Sequence, residues 1–143
     1  MSGAPHTRPR GGRTARRVAG DLAEDAVAGL LASVGWTIVA RNVRVARNEI
    51  DIVALDPGPP AGLAFVEVRS ATARGFGAPE ESVDAAKVAR LYRAAWQLVA
   101  QGSLPDGRPL PGEPWRIDLV AVVRDEGSGR WIVTSHLLGL RPP

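Results

Sequence analysis

Two carboxylates stand inside segments that otherwise have the pattern of buried strands. Asp51 lies in "NEIDIVAL" and Glu67 lies in "FVEVRS", with Arg69 two places further on. Because an unpaired buried carboxylate is unfavourable, each acid needs a partner. If the two segments form a hairpin that is symmetric about Pro59, Asp51 lies opposite Glu67, since paired positions then sum to 118.

A divalent metal ion is the partner that this pairing favours. Side-chain origins of residues paired across a hairpin lie about 4.5 to 5.5 Å apart, and two carboxylates at that separation repel unless a proton or a cation lies between them. The chain has no cysteine and two histidines, so a hard ion bound through oxygen, Mg²⁺ or Mn²⁺, is favoured over zinc. Such an ion with its water molecules is suited to hydrolysing a phosphodiester bond.

The register of the hairpin decides whether the acids meet. In the symmetric register Glu49 lies opposite Arg69 and Val53 lies opposite Phe65, and all of these side chains share one face with the two acids. A shift by one residue would place the acids on opposite faces. A structural alternative also stays open, in which Asp51 faces solvent while the other acid pairs with Arg69 along the sheet.

Helical and strand periods elsewhere supply the frame for this hairpin. Apolar residues at helical spacing predict one helix over residues 19–34 and a second over residues 79–102 that ends at Gly102. Extended segments predict five strands, which cover residues 36–45, 48–55, 63–70, 115–123 and 130–138. The order α-β-β-β-α-β-β indicates an α/β fold in which two helices cover a mixed sheet.

The N-terminal segment differs in composition from the rest of the chain. Residues 1–17 contain five arginines and no acid, whereas residues 18–143 contain 13 basic and 15 acidic residues, so the net charge of +3 comes from the first segment. We expect a disordered basic tail over residues 1–17 and a single domain over residues 18–143. The tail could attract phosphates without sequence preference, or it could be a solubilising extension without a partner.

Composition also limits the compartment and the chemistry. No apolar run is long enough to cross a bilayer, and the first residues lack the apolar segment of a secretory signal. The absence of cysteine excludes disulfides and a thiol nucleophile. We therefore expect a cytoplasmic protein that has no membrane partner.

The segments "EIDIVA" and "FVEVRS", separated by a loop of turn residues, resemble the active-site hairpin of the PD-(D/E)xK nuclease superfamily, whose fold is the restriction-endonuclease-like α/β core. More narrowly, the chain resembles the YraN-like family of bacterial proteins from about Arg17 to Val123. The resemblance includes "LAEDAVAGLLASVGW", "VARNVR", "APEESVDAAKVARL" and "RIDLVAV". This ordered combination is more specific than a short E-x-K motif, which occurs often by chance.

The resemblance implies roles for three acids. Asp51 and Glu67 correspond to the family's presumed metal ligands, and Glu24 corresponds to a helical glutamate that points towards the same site. The residues themselves leave a second interpretation of Glu24 open. It stands with Asp21 and Asp25 in the predicted first turn of the first helix, where an acid stabilises the helix dipole.

The chain departs from the resemblance at the position of the motif lysine. Arg69 stands where a lysine is expected, and Ala71 stands where an arginine is expected. Arginine can neutralise a phosphate but cannot act as a base. Lys87, the one lysine in the chain, lies in the second helix and could supply the missing charge, or it could form a solvated helix face with Arg90.

The resemblance implies a metal-dependent nuclease that hydrolyses phosphodiester bonds in DNA, either branched or single-stranded, with Mg²⁺ or Mn²⁺ as the cofactor. The predicted catalytic residues are Glu24, Asp51, Glu67, Arg69 and Lys87, of which the three acids are the predicted metal ligands. Contacts with the nucleic-acid backbone are predicted for Arg8, Arg10, Arg13, Arg16, Arg17, Arg41, Arg44, Arg47, Arg74 and Arg90. Cleavage of a junction would require a homodimer that reaches two strands.

Two other functions stay open. Because Arg69 replaces lysine, the chain could be a catalytically weak or inactive nucleic-acid-binding module of the same fold. It could instead be a protein-interaction subunit of a DNA-processing complex, with a sheet edge or a helix as the docking surface.

The remaining polar and aromatic residues are assigned to structure. Asp118 lies in the apolar strand "WRIDLVAVV" and could support the site or pair with Arg116 or another arginine. The pairing is favoured, because strand spacing alone does not aim Asp118 at the hairpin, and His136 is predicted to be a strand residue. The four tryptophans could stack on unpaired bases, but tryptophan in helices and strands is usually part of the core.

Overall fold

The computed structural model describes residues 15–71, 84–111 and 114–143, which form two helices and five strands. The helices are α1 (Ala15–Ser33) and α2 (Ala85–Gln101). The strands are β1 (Thr37–Val45), β2 (Asn48–Asp56), β3 (Gly62–Ala71), β4 (Trp115–Arg124) and β5 (Trp131–Leu137). The predicted order α-β-β-β-α-β-β is confirmed.

The strands form one mixed sheet in the order β1-β2-β3-β4-β5. Neighbouring strands are antiparallel except for β3 and β4, which are parallel and are connected through α2. Side chains of β3 alternate between two core clusters. Leu63 and Phe65 pack with α2, whereas Ala64 and Val66 pack with α1. One helix therefore covers each face of the sheet, as the α/β pattern predicted.

Helix α1 begins earlier than predicted. It starts at Ala15, so residues 15–17 of the expected basic tail are helical, and residues 1–14 lie outside the described part of the chain. The first turn contains no acidic residue, and Glu24 lies in the third turn. The prediction that acids occupy the first turn is wrong, and the helix dipole does not account for Glu24.

The buried face of α1 is narrower than the predicted one. Ala23, Val27 and Leu31 are buried against the sheet, whereas Leu30 and Val34 are 42% and 68% exposed. Adjacent helical residues point about 100° apart, so burying Leu31 turns its neighbour towards solvent. Val34 lies beyond the last residue of the helix.

Helix α2 has a defined cap at each end. The Asp84 side chain caps its start by accepting a hydrogen bond from the backbone N–H of Lys87 (2.8 Å). Gly102 ends the helix with a left-handed φ of 68°, as predicted. Residues 79–83, which the prediction assigned to this helix, lie outside the described residues.

A fully buried carboxylate connects the strands on the α1 side of the sheet. Asp118 accepts hydrogen bonds from Arg116 Nε (2.9 Å), from His136 Nε2 (3.0 Å) and from the Gly139 amide (2.9 Å), and Arg116 also binds Asp56 (2.7 Å). Burial acts to raise the pKa of Asp118, but the hydrogen bonds from His136 and Arg116 hold it below its usual value. The predicted pairing with Arg116 is confirmed, and the cluster ties β2, β4 and β5 together.

Asp118→Asn should destabilise the fold by about 3 kcal/mol at pH 7, because it leaves the half-buried Arg116 and His136 without their buried anionic partner. A carboxyl whose pKa is lowered by folding stabilises the protein above its unfolded pKa of 3.8, and this contribution disappears as the pH falls through the folded pKa. The difference between wild type and variant in urea unfolding should therefore shrink between pH 5 and pH 3. Asp106→Asn, at an exposed ion pair with Arg108, is the matched control and should change stability little. A constant difference across this pH range would contradict the assigned role.

Candidate functional site

The hairpin between β2 and β3 opens at Asp51. Five residue pairs follow the predicted register in which positions sum to 118, including Val53 with Phe65, and the last pair is Ile52 with Val66. Beyond that pair, Asp51 Oδ2 accepts a hydrogen bond from the backbone amide of Val68 at 2.8 Å. The side chain of Asp51 thus occupies the position of the next interstrand hydrogen bond, so the predicted direct pairing of Asp51 with Glu67 does not occur.

Strict alternation of side chains also ends at this point. Ile50 and Val53 both pack in the cluster that contains α2, whereas Ile52 packs with α1. Asp51 lies between a residue that faces one helix and a residue that faces the other, and it points towards the neighbouring strand. The predicted common face for Glu49, Asp51 and Val53 is therefore wrong.

The neighbouring strand β1 has a matching irregularity at Asn42, whose φ is 51°. Residues before and after it turn to different helices, since Arg41 binds Asp25 of α1 (2.6 Å) while Val43 packs in the α2 cluster. Glu49 faces Arg44 across this pair of strands, and the predicted pairing of Glu49 with Arg69 does not form part of the ladder. A left-handed φ suits asparagine better than most residues with a Cβ.

On the α1 side, Asn42 and three carboxyl groups form a hydrogen-bonded group. With the Asn42 side-chain amide oriented so that its nitrogen faces the two acids, it donates to Glu24 Oε2 (2.9 Å) and to Glu49 Oε1 (3.0 Å), and the Glu24 carboxyl is hydrogen-bonded to Asp51. Burial, together with the negative charge of Asp51, raises the pKa of Glu24 from 4.5 to about 8. Asn42 has no role among the sequence-based predictions. A polar residue in a β-branched strand was the available signal.

On the α2 side, the site contains Glu67 and Lys87. Glu67 is buried, with 6% of the residue exposed. Its Oε1 lies 3.4 Å from Lys87 Nζ, and its Oε2 is buried without a hydrogen-bond partner. Burial and the charge of Asp51 raise the pKa of Glu67 to about 7, although Lys87 and Arg69 act in the opposite direction. The predicted approach of Lys87 to this site is therefore observed.

Arg69 lies close enough to Glu67 to lower its pKa, but it does not make the direct ion pair that Lys87 makes with this carboxylate. The half-buried side chain of Arg69 has an Nε atom that is buried and lacks a hydrogen-bond partner. The direct ion pair of Glu67 is with Lys87 on the helix, not with Arg69 along the strand. This arrangement overturns the structural alternative in which Glu67 pairs with Arg69.

The residues at the opened hairpin match the chemistry of a hard divalent ion. Their donors are carboxylate oxygens, one of which, Glu67 Oε2, is buried and unpaired. Burial and, after it, the negative charge of Asp51 raise the pKa values of Glu24 and Glu67. Within residues 15–71, 84–111 and 114–143, no three acidic or histidine side chains are already grouped closely enough to hold an ion. Carboxylate oxygens are donors that suit Mg²⁺ or Mn²⁺. Because they are not yet grouped, ligation would require the carboxylates to close around the ion.

The arginines predicted to contact nucleic acid occupy several environments. Arg41 is paired with Asp25, and Arg44, with a 75% exposed side chain, lies 3.9 Å from Glu49. Arg47 and Arg90 are exposed on the β1–β2 turn and on α2. Arg17 is an exposed residue of α1, the side chain of Arg16 is not described, and Arg8, Arg10, Arg13 and Arg74 lie outside the described residues.

Neither helix of the described chain is long and apolar enough to cross a membrane. An apolar groove of about 570 Å³ lies between α1 and β5, lined by residues such as Leu30, Trp131 and Ile132. None of the carboxylates of the opened hairpin lines this groove. The polar site and this groove are separate features of the α1 side.

Comparison with known proteins identifies relatives that cover most of the chain. The model of the family described as "Uncharacterised protein family UPF0102" matches residues 23–122. A UPF0102 protein of Moorella thermoacetica is 42% identical over 77% of this chain and 84% of its own length. Another from Arthrobacter sp. is 38% identical over 88% of this chain and 98% of its own length.

Among solved structures, the chain resembles "The structure of Pyrococcus Furiosus SfsA in complex with Ca2+". The TM-score is 0.39 and the sequence identity is 18%, over 88% of this chain and 65% of that chain. Similarity at this level adds nothing to the assignment of function.

The gathered carboxylates should make the metal-free protein less stable as the pH rises. Because folding raises the pKa of Glu67 from 4.5 to about 7, the folded state binds more protons than the unfolded state between these values, and stability falls as the pH increases through this window. Glu67→Gln should therefore stabilise the metal-free protein at pH 8 by on the order of 2 kcal/mol. Urea unfolding in EDTA at pH 5 and pH 8 measures both effects.

The exposed acid Glu126, in the turn after β4, provides the control for this measurement. Glu126→Gln should leave the pH dependence of stability unchanged. If Glu67→Gln is no more stable than wild type at pH 8, the carboxylate is not destabilised by its surroundings as described.

Proposed function

We propose that this chain, which belongs to the UPF0102 family, is a metal-dependent nuclease that hydrolyses phosphodiester bonds in DNA. The observation that carries the proposal is the environment of Glu67. One oxygen of its buried carboxylate lies 3.4 Å from the Lys87 ammonium, and the other has no partner beside the negative charge of Asp51. A divalent cation is the simplest group that would satisfy this oxygen and offset the two charges together.

Asp51 and Glu67 are the residues that would hold Mg²⁺ or Mn²⁺, with Glu24 as a further ligand directly or through water. When bound, such an ion offsets negative charge on a phosphate and activates water for attack. The Val68 amide fixes the orientation of Asp51, and the Asn42 amide fixes that of Glu24. The first donor is a backbone amide and the second is a side-chain amide, and neither has to gain or lose a proton during turnover.

Lys87 supplies the ammonium group that the motif position lacks, since that position holds Arg69. Its ammonium is half-buried beside Glu67, where it can donate hydrogen bonds to a phosphate oxygen or to the attacking water. Arg69 contributes a fixed positive charge near the same carboxylate but cannot act as a base. The proposal therefore assigns the lysine function to the helix and a purely electrostatic function to Arg69.

A nucleic-acid-binding module without hydrolysis is the second candidate, and the replacement of the motif lysine by Arg69 is the observation that favours it. This candidate predicts binding that does not depend on a metal and no cleavage. A protein-interaction subunit predicts neither cleavage nor specific binding. If the substrate is a four-way junction, a homodimer is part of the proposal, because two strands must be reached.

Cleavage should require both the metal and the acids of the hairpin. Labelled single-stranded, duplex, flap and four-way-junction DNAs would be incubated with the protein in Mg²⁺, Mn²⁺ or EDTA. We expect cleavage in the metals and none in EDTA, and we expect Asp51→Asn and Glu67→Gln to lower the rate by about 100-fold or more, as for loss of a group that stabilises developing charge. Glu126→Gln is the control and should retain wild-type activity.

Each pattern in this panel separates the candidates. Binding of the same DNAs without cleavage in either metal would replace the nuclease by the binding module. Absence of both binding and cleavage would favour the interaction subunit. Cleavage that persists in Glu67→Gln would show that another site, or a contaminant, performs the reaction.

Lys87 and Arg69 are expected to contribute unequally to the cleavage rate. Lys87→Gln should lower the cleavage rate by about 100-fold, whereas Arg69→Gln should cause a smaller loss, because the ammonium and not the guanidinium contacts Glu67. Rates under single-turnover conditions measure the chemical step. A larger loss in Arg69→Gln than in Lys87→Gln would reverse the assignment.

A further inference from the structure

Helix α2 carries an unusual charge distribution. Between Ala85 and Gln101 it contains three basic residues and no acidic residue. The basic residues Lys87, Arg90 and Arg93 are followed by Trp96, so four large side chains recur at every third position. Residues three apart are neighbours on a helix surface. We call these four residues the α2 stripe.

The α2 stripe begins at the candidate site and leads away from it. Lys87 Nζ lies 3.4 Å from Glu67, while Arg90, Arg93 and Trp96 are exposed. Each step of three residues rotates about 60° around the helix, so the stripe turns from the sheet towards solvent. Nine residues advance about 14 Å along the axis and turn about 180° around it, so Trp96 lies well away from the candidate site.

Trp96 has the features of a rigid stacking surface. Its side chain is 59% exposed, and its ring lies edge to face against Trp115 with centroids 5.3 Å apart. Trp115 is held in turn by Phe65 (5.7 Å) and Tyr92 (5.9 Å). The indole is therefore fixed by aromatic contacts on one side while much of it remains open to solvent.

These observations together indicate one class of ligand. A polyanion is favoured by a helix that has three cations and no acid, and an exposed, fixed indole offers a stacking surface for a flat apolar ring. A nucleic-acid strand with unpaired bases combines both properties, whereas a paired duplex keeps its bases stacked inside. A protein that bound through Trp96 alone would not require the adjoining arginines.

We propose that the α2 stripe binds a single-stranded segment of nucleic acid, with phosphates on Arg90 and Arg93 and an unpaired base stacked on Trp96. The proposal rests on the proposed nuclease function, because Lys87 connects the α2 stripe to Glu67 and the bound strand would run from the stripe to that site. It adds to that function a substrate class, namely DNA with an unpaired segment near the scissile phosphate.

Fluorescence anisotropy in EDTA tests the stripe without cleavage. The full chain would be titrated into a labelled 12-nucleotide single strand and into a blunt duplex that contains the same sequence. Trp96→Ala should weaken binding of the single strand by about 10-fold to 100-fold, the range for loss of one base stack, and should change duplex binding by less than about threefold. Trp96→Phe should retain most of the affinity.

Salt dependence tests the arginines independently of the tryptophan. Arg93→Gln should reduce the slope of log K against log salt by about 0.7 for the single strand, the value for one phosphate contact. Gln97→Ala, at an exposed neighbouring position of α2, is the control and should alter neither affinity nor slope. The arginine variant keeps the test decisive if Trp96→Ala proves unstable in thermal unfolding.

Unchanged affinity in both Trp96→Ala and Arg93→Gln would overturn the stripe, as would equal weakening of single-strand and duplex binding. Cleavage by wild type with a KM that Trp96→Ala leaves unchanged would also remove the stripe but leave the nuclease intact. Selective single-strand binding in EDTA, together with no cleavage in Mg²⁺ or Mn²⁺, would support the α2 stripe and overturn the catalytic proposal. Absence of binding by wild type to either DNA would overturn both.

Discussion

The hydrogen bond from the Val68 amide to the Asp51 carboxylate is the contact on which the candidate site depends. It ends the β2–β3 ladder after Ile52 and Val66, because a side-chain oxygen takes the place of a backbone carbonyl. The Val68 amide is thereby satisfied although the ladder ends before it. The opening brings carboxyl groups from both faces of the sheet closer to one another than a regular hairpin would, although they are not grouped closely enough to hold an ion without moving.

The same opening explains why the site is electrostatically unbalanced. Glu24 approaches Asp51 from the α1 side, and Glu67 lies beside Lys87 on the α2 side, so the acids converge from two layers of the fold. Burial and mutual repulsion raise the pKa values of Glu24 and Glu67, and only Lys87 makes a direct ion pair with either of them within the described residues. A fold that retains such a cluster gives up stability in the absence of a ligand, as expected where charges are gathered for function.

The frame of the site could be predicted from sequence, whereas its local geometry could not. The order of the elements along the chain, and the hairpin register from Asp56 to Ile52, follow from apolar alternation and from the position of the turn residues. The change of face at Asp51 depends on a left-handed residue in the adjacent strand, Asn42, and on a hydrogen bond to a third segment. Neither contact leaves a periodic signal. The start of α1 was misplaced for a related reason, since the arginines near Ala15 have no apolar spacing, although their helix propensity is high.

Residues with two plausible environments were the hardest to assign. Asp118 and Trp96 both interrupt an otherwise ordinary pattern. Asp118 is predicted to be structural because its strand spacing does not aim it at the hairpin, and Trp96 because tryptophan in a helix is usually part of the core. Asp118 is indeed buried among hydrogen-bond donors, whereas Trp96 lies on the surface and uses Trp115 as its support. The pattern alone could not separate them, because burial is decided by which side of a helix or strand meets its neighbour. Trp96 stands half a turn from Lys87, which faces the sheet, and that rotation carries the stripe from the carboxylates to solvent.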